Sequence, residues 1–174
     1  MKKTHTISAA VALLLAAGAA GATGPRFSTS FESGQPAPSA LAGEGVKVAP
    51  GDGPERPYAA KKKAGYTGAQ ALHYHAEGQG GRLQLFAVDI EVKADTVLSW
   101  MVLPEIVDGD IDTSTHVSLD LVLDDGRRVS SLDLRDHHGV RLGAAAQGQS
   151  KTLYPQQWAH KAVRLGSLKG RRTK

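Results

Sequence analysis

The chain has 174 residues, a formal net charge of +4 and no cysteine. The lack of cysteine excludes catalytic thiols, disulfide frameworks and Cys-ligated zinc. Much of the positive charge lies in the first three and last six residues, and the part between them holds fewer basic than acidic residues. Nucleic-acid binding normally needs a basic face on the folded domain, so this function is not expected.

Residues 1–22 have the pattern of a secretory signal peptide. Lys2 and Lys3 precede an apolar run from Ile7 to Leu15, and small residues with Ala-x-Ala spacing follow up to Ala22. Such a start predicts cleavage after Ala22 and export to the periplasm or beyond. The run is shorter than the roughly 20 apolar residues that span a bilayer, so no membrane association is expected after cleavage.

Residues 23–65 form a Pro/Gly-rich lead that buries little apolar surface. A short first strand is predicted within it, near 27–32, where Phe27 and Phe31 flank Ser and Thr. Residues 66–166 then show strand patterns, with alternation in most segments and a nearly continuous apolar run at 96–103. The predicted strands are 71–76, 83–92, 96–103, 116–123, 129–134 and 157–165. Asp125-Gly126 predicts a tight hairpin turn between two of them.

Short strands, turn signals and no long helical periodicity predict an all-β fold. The architecture expected is a β-sandwich of the jelly-roll, galactose-binding-like kind. Residues 167–174 are predicted to be a basic tail without a strand. A closing strand is expected in their place, so the sandwich is predicted to be incomplete at its C-terminal strand and the chain to be truncated.

Aromatic side chains are the best candidates for a binding surface, because flat rings stack on the C–H face of a sugar. Trp158 and Tyr154 lie in the polar segment Leu-Tyr-Pro-Gln-Gln-Trp and are the predicted ligand-binding residues. Trp100 lies in the most apolar strand and is predicted to be core.

Metal and catalytic sites have weaker support. Histidines occur as His73 with His75, His137 with His138, and His160, but no spacing is diagnostic of zinc or copper. Glu105, Asp108, Asp110 and Asp112 cluster in a loop and could supply paired carboxylates for glycoside hydrolysis, although a solvated acidic loop is the simpler interpretation. No nucleophile-base signature or phosphate-binding loop occurs, and no catalytic residue is predicted.

Three blocks of residues carry a resemblance to a known family. The first combines 65–68, 71–74, 95–100 and 104–105; the second combines 117–121, 125–126, 132 and 136–139; the third runs from Gln147 to Tyr154 and includes 157–158 and 160–161. Together with the opening 27–36 they resemble the N-terminal accessory β-sandwich of secreted glycoside hydrolase family 92 proteins, calcium-dependent exo-α-mannosidases.

The resemblance implies a non-catalytic accessory domain, or a truncated fragment, of a secreted α-mannosidase. Its partner would be a glycan or the catalytic mannosidase region, where the family's acid, base and calcium ligands lie. By the same resemblance Glu32 is expected to help hold a structural calcium ion. A stand-alone secreted carbohydrate-binding module is the alternative function, and an independent hydrolase or an adhesin-like structural domain is less favoured.

Overall fold

The computed structural model describes residues 6–17, 27–36, 38, 46–53, 65–77, 81–106, 109 and 114–174. Regular structure in these ranges is mostly strand, which confirms the all-β class. The strands are β1 (Thr6–Ala17), β2 (Phe27–Thr29), β3 (Val46–Asp52), β4 (Gln70–Glu77), β5 (Thr96–Glu105) and β6 (Ala159–Arg164). One short helix, α1 (Ala144–Gln149), and 3-10 turns at Val129–Ser131 and Gly166–Leu168 complete the described elements.

The six strands form one antiparallel sheet with the order β3-β4-β1-β5-β6. β1 lies at its centre, pairing with β4 from Thr6 to Val11 and with β5 from Ser8 to Ala17. β2 pairs with Leu13–Leu15 of β1, beyond the part of β1 that pairs with β4. The sheet is open, and β3 and β6 are its outer strands.

Side chains of β5 and β6 alternate between the two faces of the sheet. Leu98, Trp100 and Val102 alternate along β5 and enter the main core together with Val163 of β6. This inner face is covered by parts of residues 81–95, 114–153 and 165–174, which contribute Ile90, Val92, Leu121, Leu123, Val129, Leu142, Leu153 and Leu165. Trp100 is 2% exposed, which confirms its predicted place in the core.

The layer over the inner face has few regular strands in the described residues. Strands predicted at 83–92 and 116–123 are irregular chain joined by isolated bridges, such as Val122 to Arg128 and Glu91 to Arg172. The predicted turn at Asp125-Gly126 is present, with Gly126 at a φ of 80° and the Leu123 amide bonded to the Arg127 carbonyl. The expected return strand at 129–134 begins instead as a 3-10 turn.

The predicted basic tail is built into this layer. The Val92 amide donates to the Arg171 carbonyl, and the Thr173 amide donates to the Ile90 carbonyl. On the other side of the tail, Leu123 forms a bridge with Thr173. The tail is therefore held between two segments that lie far apart in the sequence.

Two of the strands were not predicted from the sequence: one lies in the predicted signal peptide and one in the Pro/Gly-rich lead. Thr6–Ala17 of the predicted signal peptide is the central strand β1, whereas residues 1–5 and 18–22 lie outside the described residues. Val46–Asp52 of the Pro/Gly-rich lead is the outer strand β3. The short strand predicted near 27–32 is present as β2. Cleavage after Ala22 stays a prediction.

Candidate functional site

An aromatic pair lies on the outer face of the sheet. Trp158 precedes β6 and packs against Ala71 of β4 and Leu103 of β5, both of which are buried. Tyr66 lies in the bend before β4, and its ring meets Trp158 edge-to-face with 5.8 Å between the ring centroids. Tyr66 is 52% exposed. The pair, called here the aromatic platform, therefore offers solvent a rigid apolar surface on a two-strand base.

The indole of Trp158 is held by packing. Its N–H is buried and has no hydrogen-bond partner in the described part of the chain. An unpaired buried donor costs about 1–3 kcal/mol, so contacts with Ala71, Leu103 and Tyr66 must outweigh this cost. Such a ring is positioned by shape and not by a directional polar bond.

Tyr154 is the second predicted ligand-binding residue and is 62% exposed. It follows Leu153, which is buried in the main core and fixes this point of the chain. Within the described ranges its ring has no aromatic neighbour. Tyr154 is accessible to a ligand, but the structure does not bring it into a ring contact with Trp158.

The Glu32 side chain links the segment after β2 to the start of β4. Its carboxylate accepts a hydrogen bond of 2.8 Å from the Gln70 amide, at the first residue of β4. A Cβ added at Gly68 would lie 2.3 Å from the same carboxylate oxygen, so any other residue there would force the Glu32 side chain to shift. Glu32 thus fixes the bend that carries Tyr66 to the platform.

Calcium at Glu32 can be tested against these contacts. A calcium ion takes about six to eight oxygen ligands, usually with several carboxylates. Glu32 brings one carboxylate with one oxygen already bonded, and the described ranges hold no group of three or more acidic, His or Cys side chains fit for a metal. These residues do not make a calcium site on their own, and structural calcium stays a prediction.

Three of the histidines come together on β6 and the turn beside it. The rings of His137 and His138 lie 3.9 Å apart and those of His137 and His160 lie 5.3 Å apart, measured between centroids. His160 Nε2 is 2.7 Å from Ser99 Oγ on β5. Desolvation, with the neighbouring His137 charge, lowers the pKa of both His138 and His160. The sequence showed these histidines but not their contact.

A buried ion pair lies on the opposite side of β6. Lys161 Nζ is 3.0 Å from Asp136 Oδ2, and both side chains are at most 1% exposed. Thr152 accepts a second bond from Lys161 at 2.7 Å, and Gln147 donates to Asp136 at 3.1 Å. These residues, with the amides that Asp136 accepts, are called here the buried network.

Asp136 also shapes the turn that carries the histidines. Its Oδ1 accepts hydrogen bonds from the amides of His138 at 2.9 Å and Val140 at 3.0 Å, as a turn-forming aspartate does. Burial raises the pKa of Asp136, but hydrogen bonds from Lys161, Val140 and Gln147 outweigh it, so the pKa lies below its ordinary value. Asp136 is therefore a carboxylate at neutral pH.

A shallow groove of about 420 Å³ lies on the outer face, at the end of β5 and β6 away from the aromatic platform. Val97 of β5 and Ala162 of β6 contribute its apolar part. Its polar part comes from five residues of the turns and strand ends: Asp95, Arg135, Asp136, His137 and Arg164. It is called here the basic groove.

Sequence reasoning missed Tyr66, the buried network and the basic groove. Of the acidic loop considered for glycoside hydrolysis, Asp108, Asp110 and Asp112 lie outside the described residues. Glu105 is described, and its carboxylate lies 3.9 Å from His73 Nδ1. The sequence thus located one member of the platform but not the partners that form its surroundings.

Comparison with known proteins does not assign this chain to a family. No protein-family model matches this chain, and no curated protein sequence is significantly similar to it. In the ranges that the structure describes, no helix is long and apolar enough to cross a membrane.

Proposed function

We propose that this chain is a secreted, non-catalytic accessory domain, or a fragment, of an α-mannosidase that positions a catalytic region on glycan. The observation that carries the proposal is the aromatic platform of Tyr66 and Trp158. An exposed aromatic surface on a soluble domain marks an interaction site. A ring surface of this kind fits the C–H face of a sugar, which is apolar while its hydroxyls stay hydrated.

The rigidity of the platform favours carbohydrate as the ligand. Trp158 rests on buried residues of two strands, and Tyr66 is fixed through the bend that Glu32 ties. Side chains that are already ordered lose little entropy when a ligand binds, which matters for weakly binding sugars. This supports glycan positioning by a preformed surface.

The jelly-roll architecture is part of the proposal. The inner face of the open sheet is covered by a second layer of chain that shares one apolar core with it. Two layers around one core are the arrangement of a β-sandwich. In this interpretation the second sheet is represented, within the described residues, by the isolated bridges at Val122, Leu123 and Glu91.

Export with cleavage after Ala22 is also proposed, and it has a consequence for the sheet. Cleavage would remove β1, which lies between β4 and β5. The same residues cannot be both discarded leader and central strand in one molecule. The processed domain would therefore have to close β4 onto β5 or take another strand into that position.

A stand-alone carbohydrate-binding module is the alternative function. The specific observation in its favour is that both members of the platform and their supports, Ala71 and Leu103, lie in this chain. A sugar could therefore bind without any residue from a catalytic region. The two functions differ in what the binding serves and not in where it occurs.

Binding to mannan oligosaccharides, measured by calorimetry on the full chain, tests both. We expect Trp158→Ala and Tyr66→Ala to weaken binding about tenfold or more, since a stacked aromatic ring contributes about 1–3 kcal/mol at such surfaces. Gln157→Ala, at an exposed neighbour without a ring, is the matched control. Trp158→Phe should keep most of the affinity, because the buried indole N–H is not a contact to solvent.

Two outcomes would overturn the proposal. Wild-type protein that binds no neutral glycan would remove both functions. Hydrolysis of aryl mannosides by the pure chain, retained in Trp158→Ala, would replace the accessory role with an enzymatic one. Enhanced glycan turnover when the chain is added to a separate mannosidase, lost in Trp158→Ala, would support the accessory role over the stand-alone module.

A further inference from the structure

The basic groove has an arrangement that the aromatic platform lacks. Its apolar part, Val97 and Ala162, is small and aliphatic, and two arginines, Arg135 and Arg164, are among its lining residues. From Val97 to the level of Leu103, which supports Trp158, is about 20 Å along β5 at about 3.3 Å per residue. The two places are thus separate sites on one face.

Arg164 is free to bind a ligand. It is exposed at the end of β6, and in the described part of the chain no hydrogen bond or ion pair is formed by its guanidinium. Arg135 donates to the Gly139 carbonyl at 3.0 Å and lies 3.3 Å from Asp133, which leaves it further N–H donors. Two guanidinium groups on one groove favour a planar carboxylate, which they bind with paired hydrogen bonds.

The other groups narrow the class of ligand. Asp95 is an exposed carboxylate of the groove that accepts hydrogen bonds from hydroxyls, which a simple inorganic anion such as sulfate does not offer. The aliphatic part suits a C–H surface. A ligand that combines a carboxylate, hydroxyls and an apolar face matches all three features.

We propose that the basic groove binds the carboxylate-bearing sugar of an acidic glycan, such as a uronate. The carboxylate pairs with Arg135 and Arg164, the sugar's C–H face lies on Val97 and Ala162, and a hydroxyl donates to Asp95. The inference rests on the proposed glycan-binding function and assigns it a second, charge-selective site.

The histidines make this binding depend on pH. His137 lines the groove and contacts His138 and His160, while the other charged groups that face it are Asp95, Arg135, Arg164 and the mutually neutralised Asp136–Lys161 pair. Protonation adds positive charge beside the groove. Because desolvation lowers the pKa of His138 and His160 below the ordinary 6.5, these two side chains gain their charge below that pH, and affinity should rise as the pH falls below it.

The test is a titration of the full chain with oligogalacturonate, with mannotriose as the neutral probe, at about pH 7.5 and about pH 5.5. We expect oligogalacturonate to bind more tightly at the lower pH and to be weakened by about 0.5 M salt. Arg164→Gln should weaken it about tenfold, the effect of losing a charge-assisted pair. Arg128→Gln, another exposed arginine outside the groove, is the matched control and should leave it unchanged.

The outcomes separate this inference from the proposed function. If Arg164→Gln binds oligogalacturonate like wild type while Trp158→Ala loses mannotriose, the groove inference is wrong and the platform stands. If oligogalacturonate depends on Arg164 while mannotriose does not bind at all, the inference stands and the neutral-glycan function fails. Equal binding of citrate and oligogalacturonate would overturn the assignment to a sugar.

Discussion

The N-terminal part of the described chain, up to residue 106, and the C-terminal part, from residue 114, are held together in different ways. The N-terminal part depends on backbone ladders, in which β1 alone pairs with β2, β4 and β5. The C-terminal part depends on particular side chains. Asp136 bonds two turn amides and Lys161, and Asp120 bonds the amides of Leu121 and Ser130.

The difference determines what each part tolerates. A ladder bonds through the backbone, so it accepts many side chains but needs the neighbouring strand to be present. A buried side-chain network accepts few substitutions, because each lost partner leaves another polar group unpaired. Deletions should therefore damage the N-terminal part most, and point substitutions should damage the C-terminal part most.

Removal of residues 1–22 should have the largest effect. It takes away β1 and leaves β4 and β5 without their shared neighbour, so we expect a loss on the order of 5 kcal/mol, a large share of typical domain stability. Guanidinium unfolding of the 23–174 chain against the full chain measures it, and N-terminal sequencing of the protein recovered from expressing cells shows which form exists. Identical unfolding midpoints would mean that Thr6–Ala17 adds nothing to the sheet.

Lys161→Met should destabilise the C-terminal part by about 3–5 kcal/mol, because Asp136 would be left as an unpaired buried charge. Urea unfolding followed by tryptophan fluorescence gives the loss. The double variant Lys161→Met with Asp136→Asn should recover part of it, since no charge is then left without a partner. A Lys161→Met loss as small as that of an exposed lysine would contradict the buried pair.

Acid should weaken the C-terminal part through Asp136. The pKa of this carboxyl is lower in the folded chain than its ordinary 3.8, so its contribution to stability is complete above 3.8 and is lost as the pH falls through the folded value. Urea midpoints measured from neutral pH to about pH 2 should therefore fall more steeply in wild type than in Asp136→Asn. Parallel curves would show that Asp136 has no lowered pKa.

Substitutions at Glu32 distinguish a hydrogen-bond tie from a metal ligand. Glu32→Gln keeps an acceptor for the Gln70 amide and should change the free energy of unfolding little, whereas Glu32→Ala should cost about 1–2 kcal/mol. If calcium is bound there, millimolar calcium raises the melting temperature of wild type and EDTA lowers it. That response should vanish in Glu32→Gln, which lacks the charge, and its persistence would place any calcium elsewhere.

The exposed ion pairs of Asp133 should contribute least. Asp133 contacts Arg135 and Arg141, and the side chains of all three are more than half exposed. Water and salt screen such pairs, so Asp133→Asn should leave the thermal midpoint unchanged. Asparagine also suits the positive φ of this position, 54°, which makes it a clean control for Lys161→Met. A large shift would mean that the turn needs the charge.

The strands that the sequence predicted correctly are those whose hydrophobic pattern reflects the burial of their own side chains in the sheet. β5 has a nearly continuous apolar run because both its faces are covered, and β6 alternates because one of its faces is more exposed. Residues 83–92 alternate too, but their backbone partner is the tail at 170–173, which has no strand pattern. The alternation therefore predicted a strand there, but nothing in the tail's own sequence identified the tail as its partner.

Prediction of the candidate site from the sequence was limited in the same way, because partners distant in the sequence leave no local pattern. Trp158 was found because tryptophan in a polar segment is conspicuous, whereas Tyr66 lies in a bend without periodicity. Lys161 and Asp136 are 25 residues apart and a lysine is expected at the surface. One signal was present, since Lys161 occupies a core position of β6 next to Val163 in the same alternation. Gln147 and Thr152, which lie in the third block of the family resemblance, are members of this network.

The tail at 170–174 bears on the order of events during folding. It bonds Val92 and Ile90 on one side and Val122 and Asp124 on the other. These partners are far from the tail in the sequence, so the contacts close long loops, which costs chain entropy before the contacts form. The inner layer should therefore close late in folding, and its core stays exposed until the tail is in place, which makes the partly folded domain prone to aggregation.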